Sequence, residues 1–406
     1  MSLIMTEERE GKLTIRLPER VDTSNVNAFH DELETALNSN LPKAVVMDAT
    51  DLLYISSVGL RELLYIKKNW DDFRVLNVAR DIYDIFETTG FTKIMDVERA
   101  FETMSVVGCS LIGKGACGTV YKIDDERIVK VFVKGYEFEK VLKERDNAKS
   151  AFTHGIDTAI PFDIVKVGDH YGLIYEIIKA KTLKELINEE PDRLNFYITA
   201  YAKYIKHMHE TVFEAGSYPD MKTVWKAKID ALEGIFSEEE KKAVKGIIDD
   251  LSDRMTFVHG DINFGNMMID DGKTVMIDME DVTLGHPIYD VAFLYYILTL
   301  LPGMLPKDVY FDMIRFSKEE ARALWRGFAE TYFDIKNEND LRSYEKQIHP
   351  YGLIRLLDGV PSCFLTFEDY DEKKKQAVIA RYQPAAEEYK ASLLAAIKNG
   401  VGKPEF

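Results

Sequence analysis

VHGDINFGNMMIDDGKTVMIDMED, residues 258–281, sets His259, Gly260 and Asp261 in succession, Asn266 five residues beyond that Asp, and Asp278 at the end of the strand-like TVMI. Phosphoryl transfer asks a protein for a carboxylate beside the attacking hydroxyl and for hard oxygen ligands to Mg2+. Asp261 with Asn266 has the D-x-x-x-x-N spacing of a catalytic loop, and Asp278 stands where a strand-end metal ligand would. The competing reading is an Asx-rich turn between two strands of an acidic chain, since Asn263, Asp270, Asp271 and Gly272 include one. What precedes the stretch decides between them.

LIGKGACGTVYKI (111–123) carries Gly113, Gly115 and Gly118 in the G-x-G-x-x-G spacing. Dinucleotide-binding folds share it, but there the third Gly opens a helix. Here TVYKI and RIVKVF follow, both strand-like, with DDE between them, so the glycines lie on a hairpin. A tip without side chains can bring backbone N–H groups close to phosphate oxygens, and an ordinary tight turn is the alternative. Cys117 at this tip reads as a small residue tolerated in a turn rather than a reactive thiol. Lys130 lies mid-strand between Val129 and Val131. Facing outward it is a solvated lysine; facing inward it needs a partner or a ligand. The hairpin directly upstream favours the second, and the helix predicted over EFEKVLKERDNAKSAFTHG offers Glu139 and Glu144.

Residues 1–104 form a separate α/β pattern. KLTIRL (12–17) alternates as a half-buried strand, KAVVMDA (43–49) is the short apolar run of an interior strand, and FRVLNV (73–78) is a third. Helices are predicted over DTSNVNAFHDELETAL, with Asp22, Thr23 and Ser24 as candidate N-caps, over SVGLRELLYIKKNW, and over ARDIYDIFETTG, ended by Gly90. DTSNVNAF, VVMDATDLLYISSVGLRELL and VLNVARDIYDIFETTGFTKIM together resemble a STAS domain, the fold of anti-sigma-factor antagonists. That resemblance implies a docking or regulatory module with a possible protein partner. Where the family places a phosphorylated Ser this chain has Val58, so the usual switch does not carry over; Ser56 and Ser57 read as helix caps.

Residues 109 to about 395 resemble the aminoglycoside phosphotransferase and choline kinase branch of the protein-kinase-like fold. VHGDINFGNMMI matches its catalytic loop, with Gly260 where protein Ser/Thr kinases usually have Arg, and MIDMEDVTLGHPIYDVA matches its metal-binding segment. The resemblance implies that Asp261 is the catalytic base and that Asn266 and Asp278 hold Mg2+. It implies that Gly113, Gly115, Gly118 and Lys130 hold the phosphates of ATP, with Glu144, rather than Glu139, pairing with Lys130. The lobe hinge would meet adenine at Glu176 (C=O) and Ile178 (N–H). His259 supports the loop and Asp290 anchors it. His286 departs from the family, which often has Asp before that Pro.

The expected architecture is therefore an α/β STAS domain (1–104) followed by an α+β kinase-like bilobal domain, with an N-lobe over 105–180 and a mostly helical C-lobe over 181–406. The expected activity is ATP- and Mg2+-dependent transfer to a hydroxyl of a small molecule such as an aminoglycoside, choline or a sugar-like alcohol. The alternative is a regulatory protein that senses nucleotide or phosphorylates a partner. A net charge of −17 argues against nucleic acid as a partner. Three scattered cysteines, no signal-peptide pattern and no apolar run long enough to span a bilayer suggest a cytoplasmic protein without a membrane partner. Trp225, Tyr204, Tyr295, Tyr351 and Phe364 read as core rather than as a substrate platform. His207 and His209, two apart on a predicted helix, face different sides and cannot share a metal.

Overall fold

A computed structural model describes residues 2–9, 11–115, 117–270, 273–364 and 372–406. The turn expected at Asp271 and Gly272 lies outside the described residues. The chain divides into two units, Met1–Ser105 with Ile164–Asp169, and Val106–Asp163 with His170–Phe406.

The first unit runs β1 (Met5–Arg9), β2 (Lys12–Arg16), β3 (Arg20–Val21), α1 (Val26–Asn40), β4 (Ala44–Asp48), β5 (Tyr54–Ile55), α2 (Ser57–Asn69), β6 (Phe73–Val78), α3 (Arg80–Thr88) and β7 (Asp96–Arg99). The main sheet has the order β1-β2-β4-β6-β7 and is parallel except for the β1–β2 pair. Ile15, Val45, Met47 and Val75 of the sheet pack with Phe29 and Leu33 of α1, Leu63 and Ile66 of α2, and Phe86 of α3. The unbroken apolar run of β4 follows from its central place in a helix-covered sheet.

Three local features differ from the sequence reading. The edge strand β1 carries no apolar alternation because all five of its side chains are exposed; its ladder to β2 holds it, and the Glu32 carboxylate accepts the Leu3 and Ile4 N–H groups just before it, at 2.8 and 3.2 Å. Helix α1 starts later than its candidate caps, with Asn25 at the N-cap. Asp22 instead builds the preceding turn, its carboxylate accepting the Ser24 N–H at 2.9 Å and its carbonyl the Val26 N–H at 2.9 Å. Ser56 does occupy the N-cap of α2, but its hydroxyl makes no capping bond, and Ser57 is the exposed first residue of the helix.

The second unit begins with β8 (Ser110–Lys114), β9 (Gly118–Lys122), β10 (Arg127–Phe132) and α4 (Phe138–Thr153), then β11 (Pro161–Val167), of which the residues from Ile164 on count with the first unit, and β12 (His170–Glu176). Strands β12-β10-β9-β8 lie antiparallel in that order. The expected DDE turn is built by Asp124, whose carboxylate accepts the N–H groups of Glu126 and Arg127 at 2.9 and 2.8 Å. Beyond come β13 (Lys181–Thr182), α5 (Leu183–Glu189), α6 (Leu194–Glu210), α7 (Met221–Ala231), α8 (Glu238–Asp249), β14 (Phe257–Val258), β15 (Met267–Asp270), β16 (Lys273–Met276), β17 (Thr283–Leu284) and α9 (Ile288–Tyr295), then further helices to Lys398. Capping boxes at Thr182, Ser237 and Ser317 fix three helix starts. Trp225, Tyr295 and Tyr351 are buried in one large core, against which Tyr204 packs. Among the described residues no helix is long and apolar enough to cross a membrane.

Candidate active site

The glycine hairpin is the β8–β9 turn, closed by the Gly115 N–H to Gly118 carbonyl bond at 2.9 Å. Its glycines are not equivalent. A Cβ on Gly118 would sit 2.5 Å from the Val131 carbonyl oxygen, so the close approach of β9 to β10 requires glycine there. Gly113 and Gly115 would meet nothing closer than 3.8 Å, so neither is required by the fold around it. Cys117, half-buried beside them, has its thiol pushed up to about 11 by burial and by Glu280. It is thus a protonated, weakly nucleophilic group.

Lys130 points inward from β10. Its ammonium donates to both oxygens of Glu144, at 2.8 and 2.9 Å, and to Asp278 at 3.0 Å, a residue 148 positions away. Glu144 is 1% exposed, whereas Glu139 in the first turn of α4 is exposed. Burial pulls the Lys130 ammonium down, but the Glu144 and Asp278 carboxylates outweigh it and hold the group above the usual lysine range. Tyr175 of β12 donates its hydroxyl to Glu144 at 2.6 Å, and Asn147 of α4 donates to the Met279 carbonyl at 2.8 Å. The helix carrying Glu144 is therefore tied to the segment carrying Asp278.

The hairpin β15–β16 brings Asn266 and Asp278 together. Met267 faces Met276 across it, and the Ile277 N–H donates to the Asn266 carbonyl at 2.8 Å. The Asn266 amide N–H2 donates to Asp261 Oδ2 at 3.0 Å, and Asn263 donates to Asp261 Oδ1 at 2.9 Å. Both oxygens of Asp261 are thus oriented, and burial raises its carboxyl above the usual range against the Asn263 hydrogen bond. Asn266 Oδ1 makes no hydrogen bond among the described residues, and Asp278 keeps an oxygen beyond the one that accepts from Lys130. An amide oxygen and a carboxylate form a donor set that fits a hard cation such as Mg2+. Asp278 holds a left-handed backbone at φ 68°, rare for a residue with a Cβ.

Asp290, fully buried on α9, clamps the loop from beneath. It accepts the N–H groups of His259 and Gly260 at 2.8 and 2.7 Å and faces His209 Nε2 at 3.1 Å. Burial disfavours its charge, but the His209 ring and the loop N–H groups outweigh that and keep the carboxyl below the usual range. Gly260 adopts φ 89°, and a Cβ there would lie 2.6 Å from the Asp281 carbonyl. Only glycine fits this turn without strain. His259 accepts from the Asp261 N–H through Nδ1 at 3.3 Å, which leaves Nε2–H to donate to the Ile277 carbonyl at 3.2 Å. His286, just before the Pro287 N-cap of α9, accepts the Ile288 N–H through Nδ1 at 3.0 Å, and burial keeps its imidazole neutral. At the hinge, Glu176 ends β12 with its carboxylate on the Ile160 N–H at 2.8 Å, and the half-buried Ile178 N–H has no partner among the described residues.

The structure thus gathers Lys130, Glu144, Asp278, Asn266 and Asp261 within the second unit. Several contributors carry no sequence cue. Glu280 lies within 4.8 Å of Glu144 and Asp278 and accepts the Tyr136 hydroxyl. Tyr175, His209 and Arg355, which donates to the Gly260 carbonyl at 3.1 Å, come from strands and helices whose apolar pattern hides them.

A glycine hairpin over an antiparallel sheet, an in-strand lysine paired to a helix glutamate, and an acidic loop on a helical lobe define a kinase-like phosphotransferase fold. The chain belongs to the phosphotransferase enzyme family, whose model matches residues 108–326, and it also carries a STAS domain, matched over residues 4–105. Among solved structures it is similar to the ADP-bound aminoglycoside phosphotransferase APH(2'')-Ib, at 15% identity over 69% of this chain and 94% of that one, with a TM-score of 0.45. The gentamicin complex of APH(2'')-IIa is similar at 15% identity over 69% and 93%, with a TM-score of 0.47. So is APH(3'')-Id from Streptomyces rimosus with ADP and streptomycin, at 15% identity over 57% and 88%, with a TM-score of 0.37. No curated protein matches the chain.

Proposed function

We propose that the protein transfers the γ-phosphoryl group of ATP to a hydroxyl of a small molecule. The observation that supports this most is the meeting of Lys130, Glu144 and Asp278 at 2.8 and 3.0 Å, with Asn266 reaching from the same hairpin as Asp278 to Asp261. In this reading Asp261 accepts the proton of the acceptor hydroxyl as the new O–P bond forms and the bridging bond to ADP breaks. The Asn263 and Asn266 amides keep the Asp261 carboxylate turned toward that proton. Lys130, held by Glu144, binds the nucleotide phosphates beneath the Gly113–Gly115–Gly118 hairpin, and Glu176 C=O and Ile178 N–H meet the adenine. Asn266 Oδ1 and Asp278 would hold Mg2+, which supplies neutralisation of phosphate charge when bound.

The test is ADP release by the purified protein against aminoglycosides, choline and sugar alcohols. Asp261→Ala should abolish turnover while nucleotide affinity persists. Equal turnover by wild type and variant across the panel would sink the proposal. The STAS match supports a second reading, in which the protein docks a partner and phosphorylates it or reports nucleotide to it. A pull-down with and without ATP, followed by phosphate analysis of what is bound, separates that reading from the first. A cytoplasmic location, and the absence of a nucleic-acid partner, go with both.

A further inference from the structure

The three lysines of α7 differ in their surroundings. Lys222 pairs with Asp253 at 2.6 Å and Lys226 with Asp249 at 2.5 Å. Lys228 is half-buried, yet among the described residues it makes no hydrogen bond and no ion pair. Its ammonium stands 5.8 Å from the centroid of the Tyr289 ring, and the guanidinium of Arg355 lies over that same ring at 4.0 Å.

Arg355, 4% exposed, joins this place to the catalytic loop. It donates to the Gly260 carbonyl, next to Asp261, at 3.1 Å, to the Tyr289 hydroxyl at 3.1 Å, and to Asp358 Oδ1 at 3.2 Å. The other oxygen of Asp358 accepts from Trp225 Nε1 at 2.8 Å. Asp358 is therefore taken up by Arg355 and Trp225, and its single charge offsets one of the two cations. Arg355 Nε is itself buried without an acceptor among the described residues. Burial and Arg355 pull the Lys228 ammonium down, but Tyr289 and the Asp281 and Asp358 carboxylates outweigh them from a distance and hold it above the usual lysine range, and neither carboxylate forms an ion pair with it.

We propose that Lys228, with Arg355 behind it, binds an anionic group of the acceptor, so that the substrate is a hydroxyl compound bearing a carboxylate or a phosphate. This rests on the phosphotransfer reading of Asp261. A cation partly withdrawn from water with no acceptor is unfavourable, and an oxyanion supplies charge-assisted hydrogen bonds in place of lost hydration. Two cations at one ring repel each other, and an anion beside them relieves that repulsion. A polycationic amine at the same place would add to it. The net charge of −17 acts in the opposite sense, but exposed charges beyond a Debye length of about 8–10 Å are screened, and at contact distance the local pair decides.

The test uses the full chain with ATP and Mg2+ and four related probes: glycerate, glycerol 3-phosphate, glycerol and kanamycin. Thermal stabilisation and ADP release are both read. Glycerate or glycerol 3-phosphate should stabilise the protein and stimulate ADP release, whereas glycerol and kanamycin should not; which of the first two is preferred identifies a carboxylate or a phosphate. Lys228→Ala should raise KM for the anionic probe roughly ten- to a hundredfold, the loss expected of one charged hydrogen bond. Lys228→Arg should stay within a few-fold of wild type. The proposal is overturned if neither anionic probe stabilises the protein, if kanamycin or glycerol serves equally well, or if Lys228→Ala leaves that KM unchanged. Lys228-dependent stabilisation by an anion, without ADP release from any probe, would instead count against the phosphotransfer reading alone.

Discussion

Replacing Lys130 by Met removes the cation from a pair in which the lysine is 14% exposed and Glu144 1% exposed. The stranded Glu144 carboxylate cannot reach water, and breaking a buried pair from one side costs about 3–5 kcal/mol. Asp278, 40% exposed, turns to solvent, so most of the loss comes from Glu144. A second change, Glu144→Gln, removes the stranded charge and still accepts the Tyr175 hydroxyl. The double variant should therefore be more stable than Lys130→Met by about 2–3 kcal/mol at pH 8, since a neutral amide avoids most of the buried-charge penalty. The pH dependence has a definite sign. Burial raises the Glu144 carboxyl even beside Lys130, and without the lysine only the Tyr175 hydrogen bond opposes that. A folded-state pKa raised above the unfolded one makes stability greatest at low pH and lost as pH rises between the two values. The deficit of Lys130→Met against wild type should thus shrink from pH 8 to pH 5, with a slope of up to about 1.4 kcal/mol per pH unit, whereas the double variant should lack that slope. Urea unfolding followed by tryptophan fluorescence measures both, since Trp225 and Trp325 are buried in the second unit. Additive losses in the double variant, or a deficit independent of pH, would refute the picture of a stranded carboxylate.

His286 should make the protein acid-sensitive. Burial pushes its imidazole down to about 3, so the unfolded chain takes up the proton first and stability falls as pH drops below about 6.5, by up to about 1.4 kcal/mol per unit; His286→Asn should flatten this in urea titrations at pH 7 and 5. The hairpin glycines should separate by readout. Gly118→Ala should lower the unfolding midpoint because of the Val131 carbonyl 2.5 Å from the new methyl, whereas Gly115→Ala should leave the midpoint alone and raise KM for ATP. For Asp261, burial places the carboxyl above the ordinary range, so kcat/KM should rise with pH through a limb higher than an exposed aspartate would give, and Asp261→Asn should lower turnover about 10²–10⁴-fold, as measured by steady-state ADP release.

Much of the arrangement was legible in the chain because it is local. The hairpin follows from glycines flanked by strand-like residues, and the D-x-x-x-x-N loop and strand-end Asp278 lie within one short stretch. Glu139 and Glu144 show where local reading stops. Five positions apart, they lie about 140° apart around a helix, so only the packing phase of α4 tells which one faces Lys130. His207 and His209 are a similar case: His207 is exposed, and His209 is buried against Asp290 and Tyr332. The edge strand β1 escaped because an exposed strand has no apolar period to read.

The sequence by itself determined the chemistry on offer, the order of the elements and the α/β and kinase-like classes, because turn geometry, hydrophobic period and side-chain type act over a few residues. Tertiary structure decided which groups meet. Asp290 reaches back to the N–H groups of His259 and Gly260, and Arg355 crosses 95 positions to the Gly260 carbonyl. Packing likewise left Lys228 beside Tyr289 with no counter-charge in contact among the described residues. Such pairings depend on how whole helices and sheets settle against one another, and no local period encodes that.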